Sequence, residues 1–347
     1  MEQQKFLIIG AGIAGISISK ALVSEGHSVK MIDNGKNRSS IVAAGMINPI
    51  VFRRMTKSWR VDAFLPFAKA FYATLGEKCG HQFMHSITIR RLFSSEQERD
   101  FWLSKQELEE FSAYLTKLSS DDLTYAKATN LFGSGRVKNS AFIATHSFLE
   151  ESKKWLSTVL DLVNEEVDYT KIDPETGEYK EESFDGIIFC EGVEVRNNPW
   201  FGAIPINPTK GEILTITSET LPENESLNRK CFVLPSGNKT FKIGSTYVWN
   251  TCNDTTTAEG RKEICDHLSY LTSAPYTIAD QTAGIRPTTL DRRPIMGRHE
   301  TFPKLIVYNG LGAKGYLLAP LLGKELADHL LHSIPLDKEI RYSRLQK

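Results

Sequence analysis

Three glycines near the start of the chain, Gly10, Gly12 and Gly15, have a spacing that suits binding of a phosphate-containing ligand. An apolar run precedes them and a helical apolar pattern, which includes Ile13 and Ala14, follows the second glycine. In a strand–turn–helix, the first glycine permits a tight turn, and the second lets the backbone approach a pyrophosphate at the helix N-terminus. The third lets the helix close on the strand. The motif predicts a dinucleotide site, but it does not separate NAD from FAD.

An acidic residue in the expected place supports this interpretation. Asp33 ends the second predicted strand, 18 residues after Gly15. A carboxylate there can accept hydrogen bonds from both ribose hydroxyls. Asn34 opens the polar loop that follows and is predicted to belong to the same site. An ordinary glycine-rich turn is the alternative, and the flanking pattern with Asp33 favours dinucleotide binding.

The glycine spacing recurs from Gly310 to Gly315, between a predicted strand over 304–308 and a predicted helix over 316–331. No second ribose-binding strand follows it, because the chain is nearly finished. We therefore interpret this segment, which includes Gly312 and Lys314, as a second helix N-terminus directed at the same cofactor. Its amide groups suit the electron-rich end of a flavin ring.

Composition limits the class of protein. Of the 347 residues, 41% are hydrophobic and 24% are charged, which is enough for a sizeable core. Lys and Arg equal Asp and Glu at 42 each, so no global charge favours nucleic acid. The five cysteines are odd in number and never spaced as C-x-x-C, which argues against a disulfide framework or a metal site and favours a reducing cytoplasm. No stretch approaches the ~20 apolar residues of a membrane span.

The elements that must position these residues follow from apolar periodicity. Further helices are predicted over 61–75, 96–118 and 147–163, and further strands over 166–172, 186–190, 212–217 and 240–249. Alternate residues of the last strand, Phe241, Ile243, Ser245, Tyr247 and Trp249, are predicted to share one face. The apolar strand over 186–190 opens onto Gly192, as a nucleotide-binding sheet does where it returns to its ligand.

Six segments together resemble the D-amino-acid-oxidase-like family of FAD-dependent oxidoreductases: 10–15, 43–46, 210–212, 243–246, 284–287 and 315–320. Their order and spacing make the resemblance specific, and it extends from Phe6 to about Leu331. It implies an α/β chain, α+β overall, in which a Rossmann-like FAD-binding domain carries an inserted mixed or antiparallel β-sheet substrate domain. The implied boundaries are 1–78, 136–209 and 281–347 for the FAD-binding domain, and 79–135 and 210–280 for the substrate domain.

The resemblance also implies which residues contact FAD. The ADP half is assigned to Gly10, Gly12, Ile13, Ala14, Gly15, Asp33 and Asn34, with Val167 at the adenine and Gly192 nearby. The isoalloxazine ring is assigned to Ala44, Gly45 and Met46, and its pyrimidine end to Gly312, Lys314, Gly315, Tyr316 and Leu317. Some members of the family attach FAD through cysteine or histidine. No cysteine lies between Gly284 and Pro320, and 39–43 lacks a histidine, so noncovalent FAD is expected.

The resemblance also implies residues at the substrate. Arg286, in the family's Gly-x-Arg-Pro motif, is expected to hold a substrate carboxylate with two parallel hydrogen bonds and to lie at the cofactor. A structural arginine paired with an acid is the alternative. Tyr247 and Trp249 are expected in the pocket, because the strand that carries them covers the flavin in this family, and Lys210 is a candidate for assisting dioxygen. Arg53 and Arg54 are weaker candidates, since their basic run is also typical of a solvated face.

The resulting prediction is an FAD-dependent oxidoreductase that oxidises the C–N bond of a small amine or amino acid. Hydride would pass from the α-carbon to flavin N5, and the imine would then hydrolyse. The electron acceptor is left open between O2 and another acceptor, and neither a nucleic-acid partner nor a membrane span is expected.

Three alternatives are retained. The first is FAD-dependent modification of a tRNA wobble-uridine side arm, because 244–247 and the pattern around Asn48 also resemble the family's uridine-modifying member. The second is a dinucleotide-binding or redox-sensing module without turnover. A nicotinamide dehydrogenase is a weaker third.

Overall fold

The computed structural model describes residues 2–36 and 38–345. Within these residues the α-helices are α1 (Ile13–Ser24), α2 (Ser39–Val42), α3 (Val61–Cys79), α4 (Glu96–Gln106), α5 (Ser120–Leu123), α6 (Thr145–Leu156), α7 (Ala258–Ser269) and α8 (Gly315–His332). Short 3-10 helices cover Glu109–Phe111, Tyr169–Lys171, Gly192–Asn197, Gly312–Lys314 and Tyr342–Leu345.

The strands up to the middle of the chain are β1 (Lys5–Ile9), β2 (Ser28–Ile32), β3 (Met46–Ile47), β4 (Ile50–Val51), β5 (Thr56–Lys57), β6 (Met84–Ser86), β7 (Thr88–Leu92), β8 (Ser134–Val137), β9 (Ala141–Ile143), β10 (Asp161–Val163), β11 (Ile172–Asp173), β12 (Glu178–Tyr179), β13 (Glu182–Ser183) and β14 (Gly186–Phe189). The later strands are β15 (Ile206–Thr217), β16 (Glu225–Arg229), β17 (Cys231–Gly237), β18 (Thr240–Gly244), β19 (Val248–Trp249), β20 (Thr277–Thr289), β21 (Ile295–Arg298) and β22 (Leu305–Asn309).

One sheet has six strands in the order β10-β2-β1-β14-β22-β21, parallel except for β21. Its strands are apolar along their length, as expected for a sheet covered on both faces. Ile8 packs with the helices α1, α3 and α8, and Leu7 packs on the opposite face with Phe189 and Phe201. Helices α1 and α8 approach so closely that a Cβ on Gly323 would lie 2.9 Å from the backbone of Ser17.

A second sheet has eight strands, β19-β15-β18-β17-β16-β7-β8 with β20 on the other edge of β15. It is antiparallel apart from the β16–β7 pair. One face packs against α7 in an apolar core that includes Leu214, Ile243 and Leu268. The opposite face is turned toward the first sheet, and the space between them is the cleft described below.

The paired strands β15 and β20 connect the two sheets. They pair along the whole of β15, from Ile206 opposite Thr289 to Thr217 opposite Thr277. Ile206 is buried with the first sheet, whereas Leu214 and Ile216 belong to the core beneath α7. A long antiparallel ladder therefore sets the position of one sheet against the other.

The predicted fold class is confirmed by this arrangement of a mostly parallel α/β sheet and an inserted mixed sheet. The domain boundaries stay a prediction. The strands β8, β15 and β20 each run across one of the predicted boundaries, at 135, 209 and 281.

Four predicted elements are wrong in extent or type, and one of them, the strand predicted over 240–249, is described with the site. The helix predicted over 96–118 ends at Gln106, because Phe111, Tyr114 and Leu115 turn back into the core and Leu115 pairs with Val137. The helix predicted over 147–163 ends at Leu156, and its last residues form β10 beside β2. The strand predicted over 166–172 is mainly irregular and 3-10 helical. Apolar periodicity reports local structure and contains no information on these tertiary contacts.

Among the described residues, no helix is both long enough and apolar enough to cross a membrane.

Candidate functional site

A long cleft lies between the two sheets and collects residues from widely separated parts of the chain. One end is lined by the first glycine-rich turn, the ends of β2 and β14, and the segment 165–169. The middle is lined by 39–46. The other end is lined by Gly211, Ile213, Phe232, Ser245, Gly284, Arg286, Pro287 and the segment 311–316.

The first turn has the geometry that a dinucleotide phosphate requires. Gly10 has a φ of +103°, and a Cβ there would lie 2.5 Å from the carbonyl oxygen of Cys190. Gly12 is the N-cap of α1, and the atom nearest to a Cβ on it would be Oγ of Ser40 at 3.1 Å. The backbone at the helix N-terminus therefore faces the cleft without a side chain of its own, as anion binding there requires.

Asp33 lies beside this turn and is already held by two donors. Its Oδ1 accepts from the Ala11 amide at 3.1 Å, and its Oδ2 accepts from Lys153 Nζ at 2.6 Å. Lys153 belongs to α6, so a helix distant in sequence fixes the carboxylate. Lone pairs on both carboxylate oxygens of Asp33 are still available to a further hydrogen-bond donor in the cleft.

Glu191 is a buried carboxyl in the same end of the cleft. It follows β14, accepts from the Tyr169 hydroxyl, and accepts from Asn198 Nδ2 at 3.0 Å. Burial raises the pKa of Glu191 to about 7, and the nearby charge of Glu194 adds to the rise, whereas the two hydrogen bonds oppose it. The pKa of Tyr169 is raised as well, chiefly by burial and next by the charge of Glu191.

The middle of the cleft is a backbone surface. Gly45 has a φ of +73°, and a Cβ on it would lie 2.2 Å from the Ile143 carbonyl oxygen. Ala44, Gly45 and Met46 line the cleft, and Ser40 Oγ accepts from the Ile13 amide at 3.2 Å. Small residues held flat in this way suit a large planar ligand.

Lys314 lines the opposite end of the cleft beside the N-terminus of α8. Its Nζ donates to Ser58 Oγ, and it forms no ion pair within residues 2–36 and 38–345. Burial lowers the pKa of Lys314 to about 8, and the positive charge of Arg292 contributes. Gly312, Gly315 and Tyr316 line the same region.

Arg286 projects into the cleft from β20. It donates through one terminal nitrogen to Ser245 Oγ at 2.7 Å and through the other to the Thr246 carbonyl oxygen at 3.5 Å. Its Cζ lies 4.9 Å from the centre of the Tyr247 ring. The guanidinium forms no ion pair with any acid in the described part of the chain. Burial lowers its pKa.

Gly211 provides the surface on which this guanidinium lies. A Cβ at Gly211 would be 2.0 Å from one terminal nitrogen of Arg286 and 2.3 Å from its Cζ. No side chain fits between them. Because Gly211 has no side chain, the guanidinium of Arg286 can lie directly against the backbone of β15.

The strand predicted over 240–249 is interrupted, and the interruption changes which side chains face the cleft. Gly244 pairs with Ile213, but Val248 pairs with Lys210, so one extra residue is present between them. A shift by one residue moves alternate side chains to the other face. Phe241 and Ile243 share one face of the strand, as predicted, and lie in the core beneath α7. Tyr247 was predicted on that face but lies over Arg286 instead. The prediction of one continuous face is therefore wrong.

Several predicted site residues do not line the cleft. Gly15 packs against the turn, since a Cβ on it would lie 1.9 Å from the Gly10 carbonyl oxygen, and Leu317 is buried in the core. Tyr247 lies beside the cleft against Arg286, and Trp249 contacts Tyr247. Lys210 lies on the opposite face of β15 and pairs with Glu212 at 3.1 Å. Arg53 is exposed in the turn between β4 and β5. The structure thus separates Lys210 and Arg53 from Arg286.

Several site residues were missed from the sequence. Ser40, Lys153, Glu191, Gly211 and Ser245 had no motif that assigned them to a site, although Gly211 and Ser245 fell within segments of the family resemblance. Their roles depend on contacts between residues up to 120 positions apart, as for Lys153 and Asp33. Only Glu191 had a signal in the sequence that could have assigned it to the site, because it lies in the turn after an apolar strand.

Comparison with known proteins identifies relatives over nearly the whole chain. A family model described as FAD dependent oxidoreductase matches residues 5–329. The chain is similar to a glycine oxidase of Bacillus licheniformis, with 23% identity over 350 aligned residues that cover 94% of this chain and 92% of that protein. It is also similar to the tRNA 5-methylaminomethyl-2-thiouridine biosynthesis bifunctional protein MnmC of Maricaulis maris, at 23% identity, but spans only 52% of that protein.

The fold agrees with this result. The crystal structure of glycine oxidase from Geobacillus kaustophilus superimposes with a TM-score of 0.78 at 19% identity, covering 97% of each chain. At this identity the likeness shows the fold alone. The detailed roles of the cleft residues therefore rest on their own geometry.

The buried Glu191 carboxyl predicts a pH dependence of stability. Its native pKa of about 7 lies above the usual value of 4.5, so the native state binds more protons than the unfolded state between these values. Stability should therefore fall as pH rises from about 5 to about 7, by up to roughly 3 kcal/mol. In urea denaturation of the cofactor-free protein, Glu191→Gln should lose most of this slope. Glu194→Gln, at an exposed neighbour, should retain it. Equal slopes for wild type and Glu191→Gln would contradict the assignment.

Proposed function

We propose that this protein, which belongs to the family of FAD-dependent oxidoreductases, oxidises the carbon–nitrogen bond of a small amino acid or carboxylate-bearing amine. The observation that carries the proposal is Arg286, a guanidinium directed into the cleft with no acid partner among the described residues. The substrate would supply the missing carboxylate. Family membership makes FAD the cofactor, and the substrate is our inference.

The residues of the cleft fit FAD, because Gly10 and Gly12 carry no side chains and leave the N-terminus of α1 open to a pyrophosphate. We assign the ADP half to this turn together with Ile13, Ala14, Asp33, Asn34, Val167 and Gly192. We assign the ring system to Ala44, Gly45 and Met46 and to the segment Gly312, Lys314, Gly315 and Tyr316. FAD, when bound, supplies the acceptor for the hydride of the substrate α-carbon. Its attachment is expected to be noncovalent.

Arg286 has the donors that a carboxylate requires. A guanidinium carries five N–H groups, and two of these are used by Ser245 and Thr246. The remaining N–H groups can form two parallel, charge-assisted hydrogen bonds with a carboxylate. Because Ser245, Tyr247 and Gly211 hold the guanidinium from three directions, its orientation is set before the substrate arrives. That pre-organisation is what fixes an α-carbon against a cofactor.

No protein acid or base is assigned to the bond-breaking step. The substrate amine is bound as the free base, and the imine product hydrolyses in water. The chain supplies position and exclusion of solvent instead. Lys210 is left out of this scheme, because its amine is paired with the buried carboxylate of Glu212. An electron acceptor, either O2 or another oxidant, completes the reaction.

The relatives support an amino-acid substrate but not its identity. One relative is named glycine oxidase, and we take a small amino acid from that name as a starting point. The similarity to MnmC keeps tRNA side-arm modification as a second candidate, although the chain spans about half of that protein. Salt-dependent binding of tRNA would favour this candidate over ours.

The proposal is tested by the visible spectrum of the purified protein, reconstituted with FAD and mixed without oxygen with glycine, sarcosine and D-amino acids. We expect flavin absorbance that is bleached by at least one of these compounds, because each offers a carboxylate and an oxidisable C–N bond. Flavin bands that no compound bleaches would contradict the proposal. Release of the flavin on acid precipitation would show that its attachment is noncovalent.

Replacing Arg286 with alanine should raise KM for the carboxylate substrate by about 30-fold or more, since loss of a partly buried charge pair costs about 2–5 kcal/mol. FAD content, measured by absorbance per protein, should change much less. An amine substrate without a carboxylate provides the control, because its KM should not depend on Arg286. An unchanged KM for the amino acid would refute the carboxylate contact.

Gly211→Ala should impair the same step without altering any charge. A methyl group at this position would overlap the guanidinium and displace it, which should lower kcat/KM by about 10- to 100-fold. Thr217→Ala, at the exposed end of the same strand, is the matched control and should be near wild type. Wild-type kinetics in Gly211→Ala would mean that the position of Arg286 does not limit the reaction.

A further inference from the structure

Three consecutive apolar side chains stand exposed on the strand segment beside Arg286, and of these Tyr247 and Trp249 share the face of Arg286 whereas Val248 is on the other face. The exposed fractions are 41% for Tyr247, 46% for Val248 and 48% for Trp249. They follow the extra residue that separates β18 from β19, and β19 is at the edge of the eight-stranded sheet. Contiguous exposed apolar side chains beside a cleft are typical of a ligand-binding surface.

The two aromatic rings form one continuous surface with the guanidinium. The Tyr247 ring lies 4.9 Å from Arg286 Cζ, and the Trp249 ring packs edge-on to Tyr247 with centroids 5.1 Å apart. Trp249 itself pairs in the sheet with Thr209, which in turn pairs with Arg286 on β20. Arg286, Tyr247 and Trp249 are therefore all anchored to the same short stretch of β15.

The register change is what places these rings on the same face of the sheet as Arg286. Without the extra residue, Tyr247 and Trp249 would continue the face of Phe241 and Ile243, both of which are buried beneath α7. With it, they leave the core and stay exposed. The hydrophobic area that could have been buried in that core is instead available to a ligand held at Arg286.

We infer that Tyr247 and Trp249 form a subsite for an aromatic or long apolar substituent of the substrate, and that the preferred substrates are amino acids or N-substituted glycines with such a group. This inference rests on the proposed function, since Arg286 is taken to hold the carboxylate. Glycine and sarcosine carry too few carbon atoms to extend from Arg286 past Tyr247 to Trp249. A substrate with a ring extends over both and removes their apolar surface from water.

Two exposed aromatics elsewhere on the chain do not share this arrangement. Tyr270, 54% exposed, lies under Lys230 with the ammonium 3.6 Å from its ring centre, far from Arg286 in the sheet order. Phe101, 52% exposed, is on α4. Tyr270 therefore serves as a matched control for loss of an exposed ring.

The test measures binding of carboxylates that the enzyme cannot oxidise, so turnover is not required. Acetate and phenylacetate are titrated into the FAD-loaded protein, and dissociation constants are obtained from calorimetry and from the flavin difference spectrum. For the wild type we expect phenylacetate to bind at least about tenfold more tightly than acetate. In Trp249→Ala the ratio should fall toward one while acetate affinity stays unchanged. Trp249→Phe should retain part of the ratio, and Tyr270→Ala all of it.

Equal affinity for the two carboxylates in the wild type, or an unchanged ratio in Trp249→Ala, would overturn the subsite. Failure of either carboxylate to bind would overturn it as well. The proposed function fails separately. If phenylacetate binds in a Trp249-dependent manner but no amine or amino acid bleaches the flavin, the subsite stands and the oxidation does not. If sarcosine bleaches the flavin and the carboxylate ratio is one, the oxidation stands and the subsite does not.

Discussion

The ladder between β15 and β20 is the constraint on which the site depends. β15 runs from the core of the parallel sheet to the core beneath α7, and β20 runs back in the opposite direction, so both strands pass the cleft at mid-length. Antiparallel pairing alternates side chains strictly between two faces. Gly211 and Gly284, which are paired, therefore both face the cleft, and Lys210 and Glu212 are directed away from it. The position of Arg286 beside Gly211 is set by pairing across this ladder.

A local irregularity then modifies what the ladder provides. The extra residue between β18 and β19 adds a single position to one strand and reverses the direction of the side chains beyond it. Ser245, Thr246 and Tyr247 consequently surround the guanidinium of Arg286 instead of continuing the regular strand. Such irregularities commonly occur beside functional sites because they redirect side chains without disturbing the rest of the sheet.

The ionisable groups of the cleft are arranged unequally along its length. Asp33 and Glu191 lie at the dinucleotide end, where Lys153, Tyr169 and Asn198 supply hydrogen bonds to them. Arg286 and Lys314 lie at the other end, and within the described residues neither has an acid partner. Keeping cations partly buried without counter-charges costs folding free energy. Such a cost is expected where a ligand supplies the opposite charge, which agrees with an anionic substrate and an electron-rich ring.

The sequence by itself determined the dinucleotide turn, because the turn depends on local requirements, and the order of six short segments determined the family and with it the cofactor. Gly10 must adopt a positive φ, Gly12 must leave space at a helix N-terminus, and Asp33 must end the next strand. Each requirement selects one residue type at a fixed spacing in the sequence. The environments of Arg286, Lys210 and Tyr247 were decided only by the tertiary structure. Lys210 was a candidate until the two-residue period of β15 turned it toward Glu212. Tyr247 was predicted on a face that a one-residue shift in pairing then reversed. Strand register, and the contact of Asp33 with Lys153, join residues far apart in the chain, and local sequence patterns carry no information about such pairings.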